Sequence, residues 1–141
     1  KEELLGDYHS FNASGDTPAG SAFKIALFTN SATLGTTTTA YAASNEVSGT
    51  GYSAGGKALT NTGVAKSTVT SYTDFSDVSW TSSSFTARGC LIYNSSSISG
   101  LTSNASVAVI DFGGDKTVSS GTFTIQFPTN DSSDAIIRIT S

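Results

Sequence analysis

Residues Thr122–Phe127 read TFTIQF, a run in which polar and apolar side chains alternate without a break. Successive side chains of a β-strand point to opposite faces, so this order places Phe123, Ile125 and Phe127 on one inner face. Pro128 follows and ends the strand, because proline has no N–H group for a ladder hydrogen bond. The run therefore predicts one wall of an antiparallel sheet that covers a core.

Further segments along the chain have the same short, strand-like character. Phe23–Phe28 is apolar on both faces, which predicts a strand that is buried on both sides. The other predicted strands are Val64–Thr70, Thr73–Trp80, Phe85–Tyr93, Ser106–Phe112 and Ala135–Thr140. Regularly spaced short strands with no helical periodicity between them predict an all-β fold, an antiparallel β-sandwich or jelly roll.

Length and composition agree with one such domain. The chain has 141 residues, and only 13% of them are charged, whereas about 25% is usual for a globular protein. Ser, Thr, Gly and Asn fill the difference, and these residues suit exposed strand faces and tight turns. We predict a short N-terminal arm over residues 1–20 and a β-sandwich domain over residues 21–141.

The stretch from Asn30 to Gly63 is dominated by Thr, Ser, Ala and Gly, and two interpretations are open. One is a long functional loop. The other, which we favour, is an alternation of short edge strands and turns. Four residues support it because they are spaced like anchors that hold the segment to the core: Tyr41, Val47, Tyr52 and Leu59.

Charge and hydropathy bear on several classes of function. The net charge is −4, and the seven Lys and Arg residues are scattered, whereas phosphate contacts need clustered cations. No run approaches the roughly 20 apolar residues that a membrane-spanning helix needs, and the N-terminus lacks a signal-peptide pattern. We therefore expect a soluble protein that binds neither nucleic acid nor membrane.

The residue types that catalysis and metal binding require are sparse. His9 is the one histidine and falls in the predicted arm, so a Ser-His-Asp or Cys-His site is not expected. Cys90 lies in an apolar strand, which predicts a buried and inert thiol.

Three close carboxylate pairs have the residue types that glycoside hydrolysis or Ca²⁺ binding requires, but turn capping is the favoured interpretation. The pairs are Asp74 with Asp77, Asp111 with Asp115, and Asp131 with Asp134. We expect no enzyme activity, no metal and no cofactor.

Two further patterns suggest ligands. Residues Gly51–Lys57 match the spacing of a phosphate-binding loop, but Ala58 replaces the required Ser or Thr and no helical pattern follows, so we set the match aside. Exposed aromatic rings could form a sugar-binding platform, with Trp80 at least as well suited to the core. The candidate rings are Trp80, Tyr41, Tyr52 and Tyr93.

Four blocks, in this order, resemble a family of small β-rich virion structural proteins of tailed bacteriophages and prophages. The blocks are Tyr41–Leu59, Phe85–Asn94, Val107–Lys116 and Gly121–Pro128. An initial strand, FKIAL, precedes them, and the likeness extends from about Phe23 to Ile139.

The resemblance implies a non-enzymatic component of a phage particle. One placement is a capsid decoration or cement protein on the outer surface of the virion, commonly a trimer, that binds the major capsid protein. Another is a tail or fibre module that contacts a host glycan, and a self-assembling filament or surface protein is a further alternative. The short length and the separate arm favour the first placement, with Lys1–Gly20 as part of the contact.

Overall fold

The computed structural model describes residues 9–12 and 20–141, and this part of the chain contains seven β-strands and no helix. The remainder of the predicted arm, residues 1–8 and 13–19, lies outside the described residues. The strands are β1 (Phe23–Phe28), β2 (Lys57–Leu59), β3 (Asn61–Ser67), β4 (Thr70–Phe75), β5 (Val78–Asn94), β6 (Ser106–Ile125) and β7 (Ile137–Thr140).

Four strands form one sheet in the order β2-β1-β5-β6. Strand β1 pairs antiparallel with the end of β5, so that Phe23 lies opposite Asn94 and Phe28 opposite Gly89. Ile25 and Leu27 of β1 are fully buried, as expected for a strand that is apolar on both faces. The prediction of a buried strand over Phe23–Phe28 is confirmed in both its limits and its burial.

Strands β5 and β6 form a long antiparallel pair. Three side-chain hydrogen bonds between them show the antiparallel direction, because the β6 residue number falls as the β5 residue number rises. They join Ser79 with Thr124, Thr86 with Thr117, and Arg88 with Asp111. Ser82 of β5 and Ser120 of β6 both have positive φ, 50° and 49°, which is uncommon for a residue with a Cβ atom. Both strands are therefore irregular at a similar place along the pair.

Aromatic packing fills the inner side of this strand pair. Trp80 is 1% exposed, and its ring lies within 6.5 Å of the rings of Tyr52, Phe85 and Phe123. A second cluster combines Ala26 and Phe28 of β1 with Leu91 and Tyr93 of β5. Burial of large apolar side chains at about 1.5–3 kcal/mol each is the main stabilising contribution that these clusters make.

Three strands form a second antiparallel sheet in the order β3-β4-β7. Val64 lies opposite Thr73, which lies opposite Ile137, and Ser71 lies opposite Ile139. Directly opposite residues share a face, and so do residues two apart in a strand. Val64, Thr73, Ile137 and Ile139 therefore lie on one face.

The chain divides into two compact units that follow the two sheets. The three-stranded unit contains Leu59–Val78, Ile125–Ser141 and the described residues before Ala22, and the four-stranded unit contains Ala22–Ala58 and Ser79–Thr124. Two antiparallel sheets without a helix confirm the predicted all-β, sandwich-like class. None of the described residues forms a helix long and apolar enough to cross a membrane.

The limits of several predicted strands were wrong. The predicted strands Ser106–Phe112 and Thr122–Phe127 belong largely to one strand, β6, which continues through Gly113 and ends at Ile125. Phe85–Tyr93 is the later part of the longer β5, and the predicted Ala135–Thr140 begins at Ile137. Gly113 has a φ of 73° within β6 and allows the strand to bend without ending.

The first hairpin of the three-stranded unit is also displaced from its predicted position. Its turn lies at residues 68–69, inside the predicted strand Val64–Thr70, and residues 76–77 interrupt the predicted strand Thr73–Trp80. Thr68 adopts a φ of 51° in this turn. A β-branched residue carries no turn signal in the sequence, which explains the displacement.

Candidate functional site

The residues considered for nucleophilic catalysis lie in packed surroundings. His9 is buried, and its ring lies 6.4 Å from that of Phe11. Cys90 is fully buried in β5 opposite Leu27, and burial raises the pKa of its thiol to about 12. A thiol with this pKa stays protonated at neutral pH, which confirms the prediction of a buried, inert cysteine.

Each of the three carboxylate pairs has at least one member that accepts hydrogen bonds from backbone N–H groups. Asp74 is 1% exposed and accepts from the amides of Phe75 at 2.8 Å and Ile136 at 3.1 Å. Asp77 accepts from the amide of Phe127 at 2.9 Å. Asp131 accepts from the amides of the residues two and three positions further on, Ser133 at 2.7 Å and Asp134 at 2.8 Å.

The third pair lies on the exposed surface of β6. Asp111 accepts from Arg88 through Nε at 2.8 Å and from the amide of Gly113 at 2.9 Å, and these contacts lower the pKa of its carboxyl group. Asp115 accepts from the side-chain amide of Asn30 at 3.1 Å. The turn-capping interpretation is confirmed for Asp131, whose backbone donors lie within the same turn. Asp111 likewise accepts from an amide two residues further on, whereas Asp74 and Asp77 accept from amides that are distant in sequence. Within residues 9–12 and 20–141, no three His, Cys, Asp or Glu side chains gather in a metal-binding group.

The near match to a phosphate-binding loop forms a turn that leads into a strand. Gly51, Gly55 and Gly56 have positive φ, and Lys57 begins β2. The ammonium group of Lys57 donates to the Ser79 carbonyl oxygen at 2.5 Å and lies 5.7 Å from the Trp80 ring. The decision to set the motif aside is confirmed, because no helix N-terminus follows the glycines.

A tyrosine cluster around Glu46 was not predicted from the sequence. Glu46 accepts hydrogen bonds from the hydroxyl groups of Tyr41 at 2.7 Å and Tyr52 at 2.6 Å, and from the amide of Gly55 at 2.8 Å. The Tyr52 hydroxyl also accepts from the Leu27 amide of β1 at 2.8 Å, and the Tyr93 hydroxyl donates to the Gly55 carbonyl oxygen at 2.8 Å. The Glu46 carboxylate thus holds the turn before β2 against the sheet, through Tyr52 and the Gly55 amide.

Burial and Glu46 together control the ionisation of these tyrosines. Burial, and then the hydrogen bond to Glu46, raise the pKa of Tyr41 to about 12. The same two causes raise the pKa of Tyr52 well above its usual range, and burial raises the pKa of Tyr93. All three side chains are therefore neutral donors at physiological pH.

The same contacts reduce the support for a sugar-binding platform. Trp80 and Tyr93 are buried, at 1% and 2% exposure, so neither ring offers a face to a sugar. Tyr41 and Tyr52 are half-buried, and both of their hydroxyl groups donate to Glu46. The prediction of Tyr41, Val47, Tyr52 and Leu59 as anchors is confirmed, because Val47 and Leu59 are buried and both tyrosines bind Glu46. The short edge strands predicted with them were wrong before Lys57, because residues 30–56 form only isolated bridges.

An exposed apolar face lies on the three-stranded sheet. The large hydrophobic side chains that are exposed in the described part of the chain are Val64 at 58%, Val69 at 52% and Ile139 at 54%. All three belong to β3, to β7 or to the turn between β3 and β4. Phe11, Val64, Ile137 and Ile139 line one shallow groove on this unit. A clustered apolar patch of this kind is typical of a protein interaction surface.

The second candidate surface is the outer edge of β6. This strand is at the end of the four-stranded sheet, and none of its 20 residues is fully buried. A groove of about 470 Å³ runs along its beginning, between residues 106–109 on one side and Gly35, Thr36 and Thr38 on the other. Unpaired strand edges are where another chain can add a strand.

The geometry therefore offers two interaction surfaces: the apolar face of β3-β4-β7 and the outer edge of β6. No family model, curated protein or solved structure matches the chain.

Proposed function

We propose that this chain is a non-enzymatic structural protein of a bacteriophage particle, and that it decorates the outside of the capsid as a cement protein. The observation that carries the proposal is the exposed apolar face of the three-stranded sheet. Val64 and Ile139 are each more than half exposed there, although water contact with such side chains is unfavourable. A permanent partner that covers this face removes that cost.

The described part of the arm lies at the same face. Phe11 lines the groove together with Val64 and Ile139, and the Ser21 amide donates to the Ser10 carbonyl oxygen at 2.8 Å. The described residues of the arm and the sheet face thus form one continuous surface. This arrangement supports the expectation that Lys1–Gly20 contributes to the contact with the major capsid protein.

A cement protein needs no unusual side-chain chemistry. Each copy buries a modest interface, and the symmetry of the capsid repeats that interface over the whole particle. The resemblance in the four sequence blocks supports the same role and favours a homo-oligomer. The glycan-binding tail or fibre module is the weaker alternative, because Trp80 and Tyr93 are buried.

Binding to particles that lack this protein tests the proposal. Purified full-length chain is mixed with such particles, sedimented, and quantified by gel densitometry, and the bound copies are located by cryo-electron microscopy. The variant Val64→Thr with Ile139→Thr keeps β-branched side chains, which favour strands, but makes the face more polar. We expect it to bind at least about tenfold more weakly, since two apolar contacts of this size contribute more than 1.4 kcal/mol.

The matched control is Thr37→Ser, an exposed change in the four-stranded unit that should leave binding unchanged. Circular dichroism and thermal melts establish that both variants are folded. Wild-type chain that fails to sediment with the particles, or a Val64 and Ile139 variant that binds as well as wild type, would contradict the proposal.

A further inference from the structure

Among residues 9–12 and 20–141, the chain covers only the start of the outer edge of β6. Residues Ala40 and Ala105 form an isolated antiparallel bridge. The Ser106 amide donates to the Thr39 carbonyl oxygen and the Tyr41 amide to the Asn104 carbonyl oxygen, both at 2.9 Å. In the part of the chain that the structure describes, this backbone pairing on the outer edge stops at Ser106. The edge beyond Ser106 continues for 19 of the 20 residues of β6.

Most of the uncovered edge lacks the features that prevent strands from pairing. Such edges are usually protected by charged residues, proline or β-bulges, and the irregular positions of β6 are confined to Gly113 and Ser120. Strand β6 has no proline, and its charged residues are Asp111, Asp115 and Lys116, all in its central part. On either side, residues 106–110 and 117–125 are uncharged. Asp111 is already paired with Arg88, which leaves Asp115 and Lys116 as the charges to be matched.

The position of these two charges makes the edge complementary to a second copy of itself. Strand β6 runs from Ser106 to Ile125, so its midpoint falls between Asp115 and Lys116. When two such strands pair antiparallel over their full length, Asp115 of each copy lies beside Lys116 of the other. The uncharged beginning of each strand then lies along the uncharged end of its copy.

The irregular positions of β6 agree with this pairing. Gly113 and Ser120, with φ of 73° and 49°, divide the edge into three segments. In the pairing centred on Asp115 and Lys116, residues 107–110 of one copy lie opposite residues 121–124 of the other. Both segments are regular strand, and neither contains a charged residue.

We propose that the outer edge of β6 is a self-association surface, on which β6 of a second copy pairs antiparallel about a two-fold axis near Asp115 and Lys116. The strand of the second copy continues the pairing that Thr39–Tyr41 begins on the same edge, and it enters the groove beside residues 106–109. A two-fold axis closes the contact after two copies, because both copies use the same edge. The proposal concerns the chain in solution and does not depend on a phage particle.

A charge-reversal series on the full-length chain tests the pairing, with mass measured by sedimentation equilibrium over a concentration series. Wild type is expected to form a dimer. Lys116→Asp places four carboxylates around the axis, and we expect the dimer to dissociate at least about tenfold more readily, because juxtaposed like charges oppose association. Asp115→Lys combined with Lys116→Asp restores opposite charges and should restore the dimer.

The matched control is Lys66→Asp, which makes the same change in net charge on an exposed residue of β3. It should leave the dimer unchanged, and circular dichroism establishes that each variant is folded. Four results overturn the proposal: a wild type that remains monomeric throughout the series, a trimer, open-ended fibres, or a dimer that Lys116→Asp does not weaken.

Discussion

At the scale of the residue, Glu46 is the side chain that the sequence did not predict. Its hydrogen-bond donors are the hydroxyl groups of Tyr41 and Tyr52 and the amide of Gly55, which lie five to nine positions away along the chain. Tyr41 and Tyr52 could be predicted as anchors from their spacing. The carboxylate could not, because its role depends on a turn whose path is set by Gly55 and Gly56 at positive φ.

The tyrosine cluster predicts a loss of stability at alkaline pH. The pKa of Tyr41 rises from 10.0 to about 12 on folding, mainly through burial and then through Glu46. A raised pKa in the folded state means that the stabilisation is complete below pH 10 and is lost as the pH rises toward 12. Urea unfolding midpoints measured between neutral pH and pH 11 should therefore fall, and tyrosinate absorbance should show a late-ionising tyrosine.

Tyr41→Phe provides the control for this prediction. The variant keeps the ring that stacks on Tyr93 with 4.8 Å between centroids but loses the hydroxyl group. It should be less stable than wild type at neutral pH by about 1–3 kcal/mol, since a hydrogen bond to a charged acceptor is lost. Its stability should also fall less steeply above pH 10. An unchanged alkaline slope would show that Tyr41 does not contribute to it.

At the scale of the element, the sequence predicted strands better than it predicted the ends of strands. The apolar face of β1 and the alternation at Thr122–Phe127 were correct because burial determines both patterns directly. The continuity of β6 was missed because Gly113 and Ser120 mark either a turn or a bulge, and only the partner strand decides between them. The continuity of β6 thus depends on contacts with β5, which are distant in sequence.

The turn before β2 requires a glycine at position 56, because of both its backbone conformation and its close approach to β1. Gly56 has a φ of 68°, and a Cβ atom at this position would overlap the Ile25 carbonyl oxygen of β1. Gly56→Ala should destabilise the chain by about 3 kcal/mol or more, since both the backbone and the neighbouring strand must move. Gly35→Ala is the matched control, because a Cβ atom there meets nothing within 4 Å.

We expect Gly35→Ala to change stability by no more than about 0.5 kcal/mol. Urea unfolding followed by circular dichroism measures both variants. Similar midpoints for the two would mean that β1 does not restrict the backbone at Gly56.

At the scale of the whole molecule, the two candidate surfaces belong to different units. Val64 and Ile139 are in the three-stranded unit, whereas Asp115 and Lys116 are in the four-stranded unit. The sequence predicted an assembling β protein, but it did not indicate either surface. Exposure of Val64 and the edge position of β6 both follow from strand order, which local sequence patterns do not specify.

Because the two surfaces lie in separate units, we expect a substitution on one surface to leave the function of the other unchanged. The Val64 and Ile139 variant should lose binding to particles and keep the dimer, whereas Lys116→Asp should weaken the dimer and remain folded. Particle sedimentation and analytical ultracentrifugation on both variants measure the two effects side by side. Loss of both properties in either variant would indicate that the surfaces are not independent.

Trp80 is an intrinsic fluorescence probe for the unfolding of the four-stranded unit. It is the one tryptophan in the chain, it is 1% exposed, and it belongs to the four-stranded unit. Its indole nitrogen is buried with no hydrogen-bond partner among the described residues, so its fluorescence should be that of an indole in apolar surroundings and should shift to the red on unfolding. The three-stranded unit reports its own unfolding only through tyrosine and backbone signals. Tryptophan emission compared with far-ultraviolet circular dichroism in one denaturant series therefore shows directly whether the two sheets melt together.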